Sequence, residues 1–475
     1  MAVNYRRGTI NVKRVLLINP YWKRPGLRDR VRRDSGVAHP GLLQIAEILL
    51  RHQKCVAFLD LGLDEVLIPQ KLANAVNAAS ADVIGITATT CSYPGALEIA
   101  RAIKGMDPGI IVVGGGIHFS LNYRDILSGE DGKYFDFIVT GEGEVPMLEL
   151  LAFLEGKKSL DCIRGVAFKN GTHEVRTHPP ITPMSMPPVI DEAWSLLDPQ
   201  LYRFQDNRRF GVAINTMRGC FAKCTFCPEP YRWPSLSFMS AEDVVKQLKI
   251  VKQRLDPAYV FIGDSNFCYP ISRLRRFVNA MRAEELFIPM NFLARFDDIH
   301  RFRNLLVDLR SIGCFLIHYG GERTTDAGQS YLRKGEGSLL TDQVTKEIQD
   351  ADIAAKATFI FGLPSDDKDS MRSMIDDIYR INPDIVSFGC YTPVPGTPSF
   401  ERDQGFIKVK DLAFYTVNYA VCNTRTLAQA DVEHFLDSEY LSFWKSSTHR
   451  ERFKRISNPD SRRIMGAYYG VLDKA

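Results

Sequence analysis

Residues 218–228 read Arg-Gly-Cys-Phe-Ala-Lys-Cys-Thr-Phe-Cys-Pro and place Cys220, Cys224 and Cys227 in the spacing Cys-x3-Cys-x2-Cys. A structural zinc site needs four protein ligands, and no Cys or His follows closely, since the next cysteine is Cys268. Thiolates grouped this tightly are typical of iron–sulfur ligation. Because three cysteines leave one iron of a cubane cluster open, the stretch predicts a 4Fe-4S cluster with a vacant coordination position. Zinc remains the alternative.

This spacing, with Phe226 directly before the third cysteine, resembles the signature of the radical S-adenosylmethionine superfamily. The resemblance implies that the open iron chelates the amino and carboxylate groups of S-adenosylmethionine. One electron from the cluster then cleaves that cofactor to a 5′-deoxyadenosyl radical. An electron donor such as flavodoxin or ferredoxin is implied as a partner.

Residues 1–155 alternate short apolar strands with amphipathic helices. The pattern predicts strands at 12–20, 56–61, 83–88, 110–114 and 135–140, and helices at 41–51, 71–79, 95–104 and 146–154. Such units are typical of an α/β fold with a parallel, doubly wound sheet. Ligands of these sheets bind at the carboxyl ends of the strands.

The loops at these predicted strand ends are rich in glycine and small polar residues. They contain Asn19, Thr89, Thr90, Gly115, Gly116, His118, Gly141, Glu142 and Gly143. Glycines allow a bulky ligand to approach the backbone closely. Neither glycine group forms a Gly-x-Gly-x-x-Gly fingerprint, so a nicotinamide cofactor is disfavoured. A lone histidine such as His118 is as often a structural residue as a ligand.

Three of these features, together with the cysteines downstream, resemble the cobalamin-binding domain that precedes many radical enzymes. The matching pieces are Pro40-Gly41-Leu42, Gly115-Gly116-Ile117-His118 and the Gly-Glu-Gly-Glu run at 141–144. The resemblance implies that Asn19, Pro40, Thr89, Thr90, Gly115, Gly116, His118, Gly141, Glu142 and Gly143 bind the corrinoid. A degenerate domain that binds nothing is the alternative.

The Asp-x-His-x-x-Gly motif, which supplies a histidine below cobalt in other cobalamin proteins, is missing from residues 1–155. Asp298-Ile299-His300 matches it only in part and lies in the second domain. The resemblance therefore implies methylcobalamin bound without a histidine lower ligand from such a motif.

Residues 156–205 separate the two alternating regions. Asn170-Gly171 lies between two short apolar pieces and predicts a hairpin. Six prolines between 179 and 199 then predict a stiff, extended interdomain connector.

Residues 206–400 alternate strands and helices again. Strands are predicted at 211–216, 259–263, 290–296, 314–319, 358–362 and 385–391. Six strand–helix units predict a partial (βα)6 TIM-like barrel with its active site at the carboxyl ends of the strands. The cysteine stretch follows the first strand, as it does in the radical S-adenosylmethionine superfamily.

Polar and glycine residues follow the later strands of this barrel. The resemblance implies that Gly263 and Asp264 lie near the amino group of S-adenosylmethionine. It places Arg295 and Glu322 around the ribose and carboxylate, and Gly362 and Pro364 beside the adenine. A zwitterionic ligand needs partners of both charges. A structural salt bridge between Arg295 and Glu322 is the alternative.

Residues 401–475 lose the alternation and predict a small helical region. A helical stripe there is typical of packing; it comprises Val432, Phe435, Leu436, Tyr440, Phe443 and Trp444. The region is expected to close the barrel or to cover the substrate.

Sixty basic and 56 acidic residues give a net charge of +4, which does not favour nucleic acid as a partner. No apolar stretch reaches the length of about 18 residues that a membrane helix needs. We therefore expect a cytoplasmic protein without a membrane partner, acting on a small-molecule substrate.

The two resemblances together imply a cobalamin-dependent radical S-adenosylmethionine enzyme, and we expect it to methylate an unactivated carbon of a small biosynthetic intermediate. The same architecture also supports rearrangement, ring contraction or oxidative cyclisation. A cobalamin or iron–sulfur sensor without catalytic activity is the alternative from another class.

Overall fold

The computed structural model describes residues 14–23, 37–169, 175–177, 186–202, 210–233, 235–335 and 340–446, together with 459 and 462. Within these ranges the chain forms two large sheets, each flanked by helices.

The first sheet begins with five parallel strands in the order β2-β1-β3-β4-β5. They are β1 (Arg14–Asn19), β2 (Cys55–Asp60), β3 (Val83–Thr87), β4 (Ile111–Gly115) and β5 (Phe137–Val139). The central strand β3 is buried along its whole length, as its apolar sequence requires. The predicted doubly wound parallel sheet is confirmed. The strand order reverses between β1 and β3, and a crevice for ligands is expected at that position.

Five helices accompany this sheet: α1 (Pro40–Arg51), α2 (Pro69–Ala79), α3 (Tyr93–Met106), α4 (Ile117–Ser128) and α5 (Glu144–Leu154). Helix α4 is absent from the sequence-based prediction. Its apolar positions are interrupted by polar residues, and Asn122 leaves helical geometry with φ −121° and ψ 16°. These irregularities weaken the helical pattern in the sequence.

A hairpin extends the first sheet beyond β5. Strand β6 (Val166–Lys169) pairs antiparallel with β5, and β7 (Val175–Thr177) pairs antiparallel with β6. The predicted Asn170-Gly171 turn lies outside the described residues. This part of segment 156–205 thus belongs structurally to the first sheet, while the domain boundary at 155 stays a prediction.

The described part of the connector, residues 186–202, packs against both domains. The Glu47 carboxylate of α1 accepts hydrogen bonds from the backbone N–H groups of Asp191 and Ala193 at 2.9 and 3.0 Å. The side chain of Trp194 is buried in the core. Backbone capture by a buried carboxylate fixes this segment although it contains little regular structure.

The second sheet has six parallel strands in sequential order, which confirms the predicted partial barrel. They are β8 (Gly211–Ile214), β11 (Tyr259–Ile262), β12 (Met290–Ala294), β13 (Cys314–Glu322), β14 (Ala354–Phe361) and β15 (Ile385–Cys390). A short antiparallel pair, β9 (Met217–Arg218) with β10 (Ser237–Phe238), flanks the cysteine stretch.

The helices of the barrel are α6 (Glu229–Arg232), α7 (Ala241–Leu255), α8 (Ile271–Ala283), α9 (Phe296–Phe302), α10 (Leu306–Ser311), α11 (Asp326–Tyr331), α12 (Leu340–Asp350) and α13 (Lys368–Ile381). Ser240 caps α7 by accepting from the Asp243 N–H at 3.0 Å.

Two further helices follow, α14 (Pro398–Asp403) and α15 (Gln429–Lys445). The apolar stripe of α15 packs on the last strand and on α13. Ring centroids of Phe388 and Tyr440 lie 5.9 Å apart, and those of Tyr379 and Phe443 lie 5.4 Å apart. The stripe is therefore a packing surface. Among the described helices, none combines the length and apolar character needed to cross a bilayer.

Candidate functional site

A cavity of about 290 Å³ lies between the two domains. Its first wall is formed by the carboxyl ends of the strands of the first sheet and by the start of α1. Its second wall is formed by Asn215, residues 217–219, α6 and the loop after β11. The predicted site residues that line it are Pro40, Thr89, Gly115, Gly116, Gly141, Glu142, Gly143 and Gly263. The cavity thus occupies the crevice that the strand order predicts.

Two consecutive glycines shape the floor of this cavity. Gly116 adopts φ +93°, and a Cβ there would approach the Thr87 Oγ1 to 2.6 Å. At Gly115 a Cβ would meet no atom within 4 Å. Because Gly115 lines the cavity, a side chain at this position would occupy space that a ligand can otherwise use.

Asn19, Thr90 and His118 do not line the cavity. The Asn19 amide donates to Asp60 at 2.8 Å. The imidazole of His118 is buried, lies 3.2 Å from the Thr90 hydroxyl and packs 4.4 Å from the Tyr93 ring. Burial lowers the pKa of His118 to about 3, so the ring is neutral. In this structure these three residues support the loops behind the cavity wall.

The cysteine loop, residues 219–228, begins at the edge of the same cavity. Its entrance is fixed by Asp264, whose carboxylate accepts hydrogen bonds from the Thr216 N–H at 2.6 Å and the Met217 N–H at 2.9 Å. Gly219 then turns the chain with φ +80°, where a Cβ would approach the Ser235 carbonyl oxygen to 2.7 Å. Asp264 is 1% exposed. Its placement near the amino group of S-adenosylmethionine stays a prediction. In this structure its carboxylate accepts from the Thr216 and Met217 N–H groups and from the Thr216 hydroxyl.

The three cysteines lie in a loop with cations beside it. Nη1 of Arg295 lies 3.9 Å from the Cys224 Sγ. Burial raises the pKa of Cys220, while Arg295 and Lys334 act in the opposite direction. Burial also raises the pKa of Cys227 to about 12, so this thiol must lose its proton before it can bind a metal.

Among the described residues, no group of three or more His, Cys, Asp or Glu side chains surrounds a position for one metal ion. The ligands of a cubane cluster bind separate irons, so such a cluster does not need three sulfurs around one ion. The donor chemistry fits a cluster, because three thiols stand together with cations that stabilise thiolates.

Arg295 and Glu322 lie near the cysteine loop but are not paired with each other. Arg295 donates to Asp297 at 3.0 Å and to the Lys334 carbonyl at 2.7 Å. Glu322 accepts from the Lys334 ammonium at 2.9 Å. Burial lowers the pKa of Lys334, but Glu322 and Cys224 outweigh it and the net shift is upward. The alternative of an Arg295–Glu322 salt bridge is wrong.

Gly362 and Pro364 form the loop after β14. Gly362 has φ +77°, and its N–H donates to the Asp366 carboxylate at 2.9 Å. Asp366 in turn accepts two hydrogen bonds from Arg323, at 2.8 and 2.7 Å. The loop is therefore held rigidly at the carboxyl end of the barrel. Neither Gly362 nor Pro364 lines the interdomain cavity.

The sequence-based prediction did not include the cavity residues His39, Arg218, Arg232 and Trp233, whereas Glu144 belongs to the predicted Gly-Glu-Gly-Glu run. Nδ1 of His39 accepts from the Leu42 N–H at 3.2 Å. Burial and Arg232 lower the pKa of His39 to about 4. The neutral ring therefore carries its proton on Nε2. The sequence did offer a signal for His39, because it directly precedes Pro40 and so occupies a helix N-cap position.

Comparison with known proteins identifies both domains. Residues 32–151 match the B12 binding domain family, and residues 214–378 match the Radical SAM superfamily. The chain thus combines a B12-binding domain with a radical SAM domain. The cavity of this radical SAM protein lies where its two matched regions meet.

The relatives of this chain include both a cyclase and a methyltransferase. The chain is 24% identical over 383 residues to an anaerobic magnesium-protoporphyrin IX monomethyl ester cyclase of Cereibacter sphaeroides, covering 79% of this chain and 62% of the cyclase. It is 25% identical over 449 residues to an uncharacterized methyltransferase of Pyrococcus horikoshii, covering 92% of this chain and 93% of the relative.

The fold is also found in a solved structure, that of the cobalamin-dependent S-adenosylmethionine radical enzyme OxsB with aqua-cobalamin and S-adenosylmethionine bound. The TM-score is 0.71 at 16% identity, covering 97% of this chain and 71% of OxsB. The family models confirm the predicted B12-binding and radical SAM regions, and the similarity to this solved structure confirms the fold.

Proposed function

We propose that this protein is a cobalamin-dependent radical S-adenosylmethionine enzyme that methylates an unactivated carbon of a small biosynthetic intermediate. One observation carries the proposal: the glycine-rich strand ends of the first sheet and the residues directly before Cys220 line the same cavity. A group held by the strand ends of the first sheet and a group held by the cysteine loop would therefore face the same interdomain cavity. Placing reactive groups and excluding water is the contribution that a protein makes to cofactor chemistry.

The residues of the chain divide between the three groups. Cys220, Cys224 and Cys227 would hold the 4Fe-4S cluster, with Arg295 and Lys334 as the adjacent cations. The residues proposed for S-adenosylmethionine are Gly263, Asp264, Arg295, Glu322, Gly362 and Pro364. Those proposed to contact cobalamin are the cavity-lining residues Pro40, Thr89, Gly115, Gly116, Gly141, Glu142 and Gly143. Asn19, Thr90 and His118 lie behind the wall and are proposed to hold these loops in place. When bound, these groups supply a 5′-deoxyadenosyl radical and a transferable methyl group.

Two observations support cobalamin binding without a histidine below the cobalt. His118 is buried behind the cavity wall, and its ring contacts Thr90 and Tyr93. His39 reaches the cavity, but its Nδ1 accepts a backbone N–H and its Nε2 carries the proton. A protonated ring nitrogen has no lone pair for a metal.

Oxidative cyclisation is the second candidate. It is favoured by the similarity to the Cereibacter sphaeroides cyclase, which covers 79% of this chain. The motifs of the site do not separate cyclisation from methyl transfer, because both reactions begin with the removal of a hydrogen atom from the substrate.

The first experiment is an ultraviolet–visible spectrum of the anaerobically purified protein after reconstitution with iron, sulfide and hydroxocobalamin. We expect absorption from both an iron–sulfur cluster and a corrinoid after gel filtration. A protein that retains zinc at the cysteine loop, or that fails to retain the corrinoid, would contradict the proposal.

The second experiment identifies the products formed with S-adenosylmethionine and dithionite as the electron source. Methylation replaces a substrate hydrogen by a methyl group and yields both 5′-deoxyadenosine and S-adenosylhomocysteine. Cyclisation yields 5′-deoxyadenosine without S-adenosylhomocysteine. Magnesium-protoporphyrin IX monomethyl ester serves as the trial substrate for cyclisation. Absence of 5′-deoxyadenosine in every reaction would favour a sensor.

A further inference from the structure

The cysteine loop is bracketed by two arginines that contact the same segment of the first domain. Arg218 lies two residues before Cys220, and Arg232 lies five residues after Cys227. Both side chains reach the Gly-Glu-Gly-Glu segment, residues 141–144. The loop is therefore attached to the first domain at its beginning and at its end.

Arg218 makes the stronger of these attachments. Its Nη1 donates to the Glu142 carboxylate at 2.6 Å, and its Nη2 donates to the Glu144 carboxylate. The three side chains are 5%, 2% and 7% exposed. Charge-assisted hydrogen bonds from one planar guanidinium to two carboxylates fix the orientation of the guanidinium as well as its distance from the carboxylates.

Arg232 makes the second attachment, from the helix that follows the cysteine loop. Its Nη2 donates to the Gly141 carbonyl at 3.4 Å. Its guanidinium stacks 4.1 Å from the Trp233 ring centroid, and the guanidinium of Arg218 lies 5.9 Å from the same centroid. The Trp233 indole N–H donates to Glu229 at 2.8 Å. An aromatic ring thus joins the two arginines into one group.

The same segment also forms the wall of the interdomain cavity. All four residues of segment 141–144 line it, as do Arg218 and Arg232. A change in the position of this segment would therefore alter the cavity and the seat of the cysteine loop together. On the barrel side, Asp264 binds the backbone of Thr216 and Met217, so Arg218 projects from a fixed point.

Stability alone does not explain this arrangement. Removing charges from water costs several kcal/mol per ion, and a buried ion pair often contributes no more than well-packed apolar side chains of the same size. Buried ion pairs of this kind can instead fix one particular arrangement of the segments that carry them.

We propose that Arg218, supported by Arg232, is a positioning residue that sets the cysteine loop against the corrinoid cavity through Glu142 and Glu144. This inference rests on the proposed function. It assigns the Gly-Glu-Gly-Glu segment two roles at once, as a wall of the cobalamin site and as the seat of the cluster loop.

The test compares the parent protein with Arg218→Met, after reconstitution of the cluster. A matched control is Lys54→Met, which removes one partner of a part-buried ion pair with Glu155 that does not line the cavity. Hydroxocobalamin binding is measured by absorbance titration. Electron paramagnetic resonance after dithionite reduction then measures the broadening between cobalt and cluster signals, which depends on their separation.

We expect Arg218→Met to raise the Kd for hydroxocobalamin about tenfold or more, the scale on which supporting residues affect bound metal groups. The magnetic broadening should also change. Lys54→Met should lower the thermal midpoint but leave the Kd for hydroxocobalamin and the magnetic broadening unchanged, because the Lys54–Glu155 pair has only a structural role. Parent-like Kd and broadening in Arg218→Met would overturn the proposal.

A second variant covers the case in which Arg218→Met does not fold because two buried carboxylates lose the Arg218 guanidinium. The triple variant Arg218→Met, Glu142→Gln, Glu144→Gln removes the three charges of this ion-pair group together. A raised Kd and altered broadening in the triple variant support the positioning role, and parent-like values overturn it. A parent protein that binds no hydroxocobalamin would instead refute the proposed function, and the inference with it.

Discussion

The carboxylate of Asp264 accepts hydrogen bonds from both the backbone N–H and the hydroxyl group of Thr216, four residues before Cys220. It also accepts from the Met217 N–H. Burial raises the pKa of Asp264, and Arg273 and these hydrogen bonds act in the opposite direction. Asp264, the second residue after β11, therefore organises the entrance to the cysteine loop, which follows β8.

Asp264→Asn should destabilise the protein and reduce cluster loading. The amide cannot accept three hydrogen bonds as a carboxylate does, and Arg273 loses its counter-charge. Breaking such a buried arrangement costs about 3 kcal/mol. Urea unfolding measures the free energy of unfolding, and iron content per chain measures the cluster.

The control for this prediction is Asp256→Asn. Asp256 is exposed at the end of α7 with φ +41°, a conformation that Asn tolerates well. This variant should match the parent in stability and in iron content. Equal stability of Asp264→Asn and Asp256→Asn would show that the Asp264 carboxylate does not hold the loop.

Gly115→Leu should abolish cobalamin binding while the fold is retained. A Cβ at Gly115 meets no atom within 4 Å, so the side chain can enter the cavity without displacing the backbone. Circular dichroism should match the parent, and gel filtration with hydroxocobalamin should yield protein without corrinoid. Gly105→Leu is the matched control, since Gly105 is exposed and also meets no atom within 4 Å of its Cβ. Retained corrinoid in Gly115→Leu would contradict this role of the cavity.

The sequence predicted the parts of this site that depend on local pattern. Apolar runs such as 83–88 have the composition of buried parallel strands, and residues 115–116 follow such a strand, so their place at the cavity floor was predictable. The cysteine spacing is likewise local. The parallel order of the barrel followed from strands and helices that alternate along the chain.

The contacts between the domains could not be predicted in the same way. Arg218 and Glu142 are 76 residues apart, and nothing in either neighbourhood indicates the other. Arg295 and Glu322 have opposite charges, yet each found a nearer partner, Asp297 and Lys334 respectively. Pairing of charges depends on side-chain directions in the folded chain, which a linear pattern does not contain.

The free energy of unfolding should fall as the pH falls below about 6.5, in part because of His118. Burial lowers the pKa of this residue to about 3 in the folded state. The unfolded chain binds the proton first, near the ordinary pKa of about 6.5, so acidification favours unfolding. The contribution is fully present above this range and is lost progressively towards about pH 3.

His118→Gln should therefore weaken this dependence, even though it also lowers stability at neutral pH by disturbing a buried site. Urea midpoints between about pH 7.5 and about pH 5 measure the slope. An identical slope in His118→Gln and the parent would contradict the buried, neutral state of His118.

Replacement of Cys220, Cys224 or Cys227 by Ala should each remove the cluster and bring 5′-deoxyadenosine formation below detection. Two thiolates cannot hold a cubane cluster with one open iron, so the loss should be complete rather than graded. Cys55→Ala removes an exposed thiol far from the loop and should retain parent iron content and activity. Iron analysis and chromatography of reactions with S-adenosylmethionine and dithionite measure both quantities. Turnover in an anaerobically reconstituted variant of any of the three loop cysteines would refute the assignment of this loop as the cluster site.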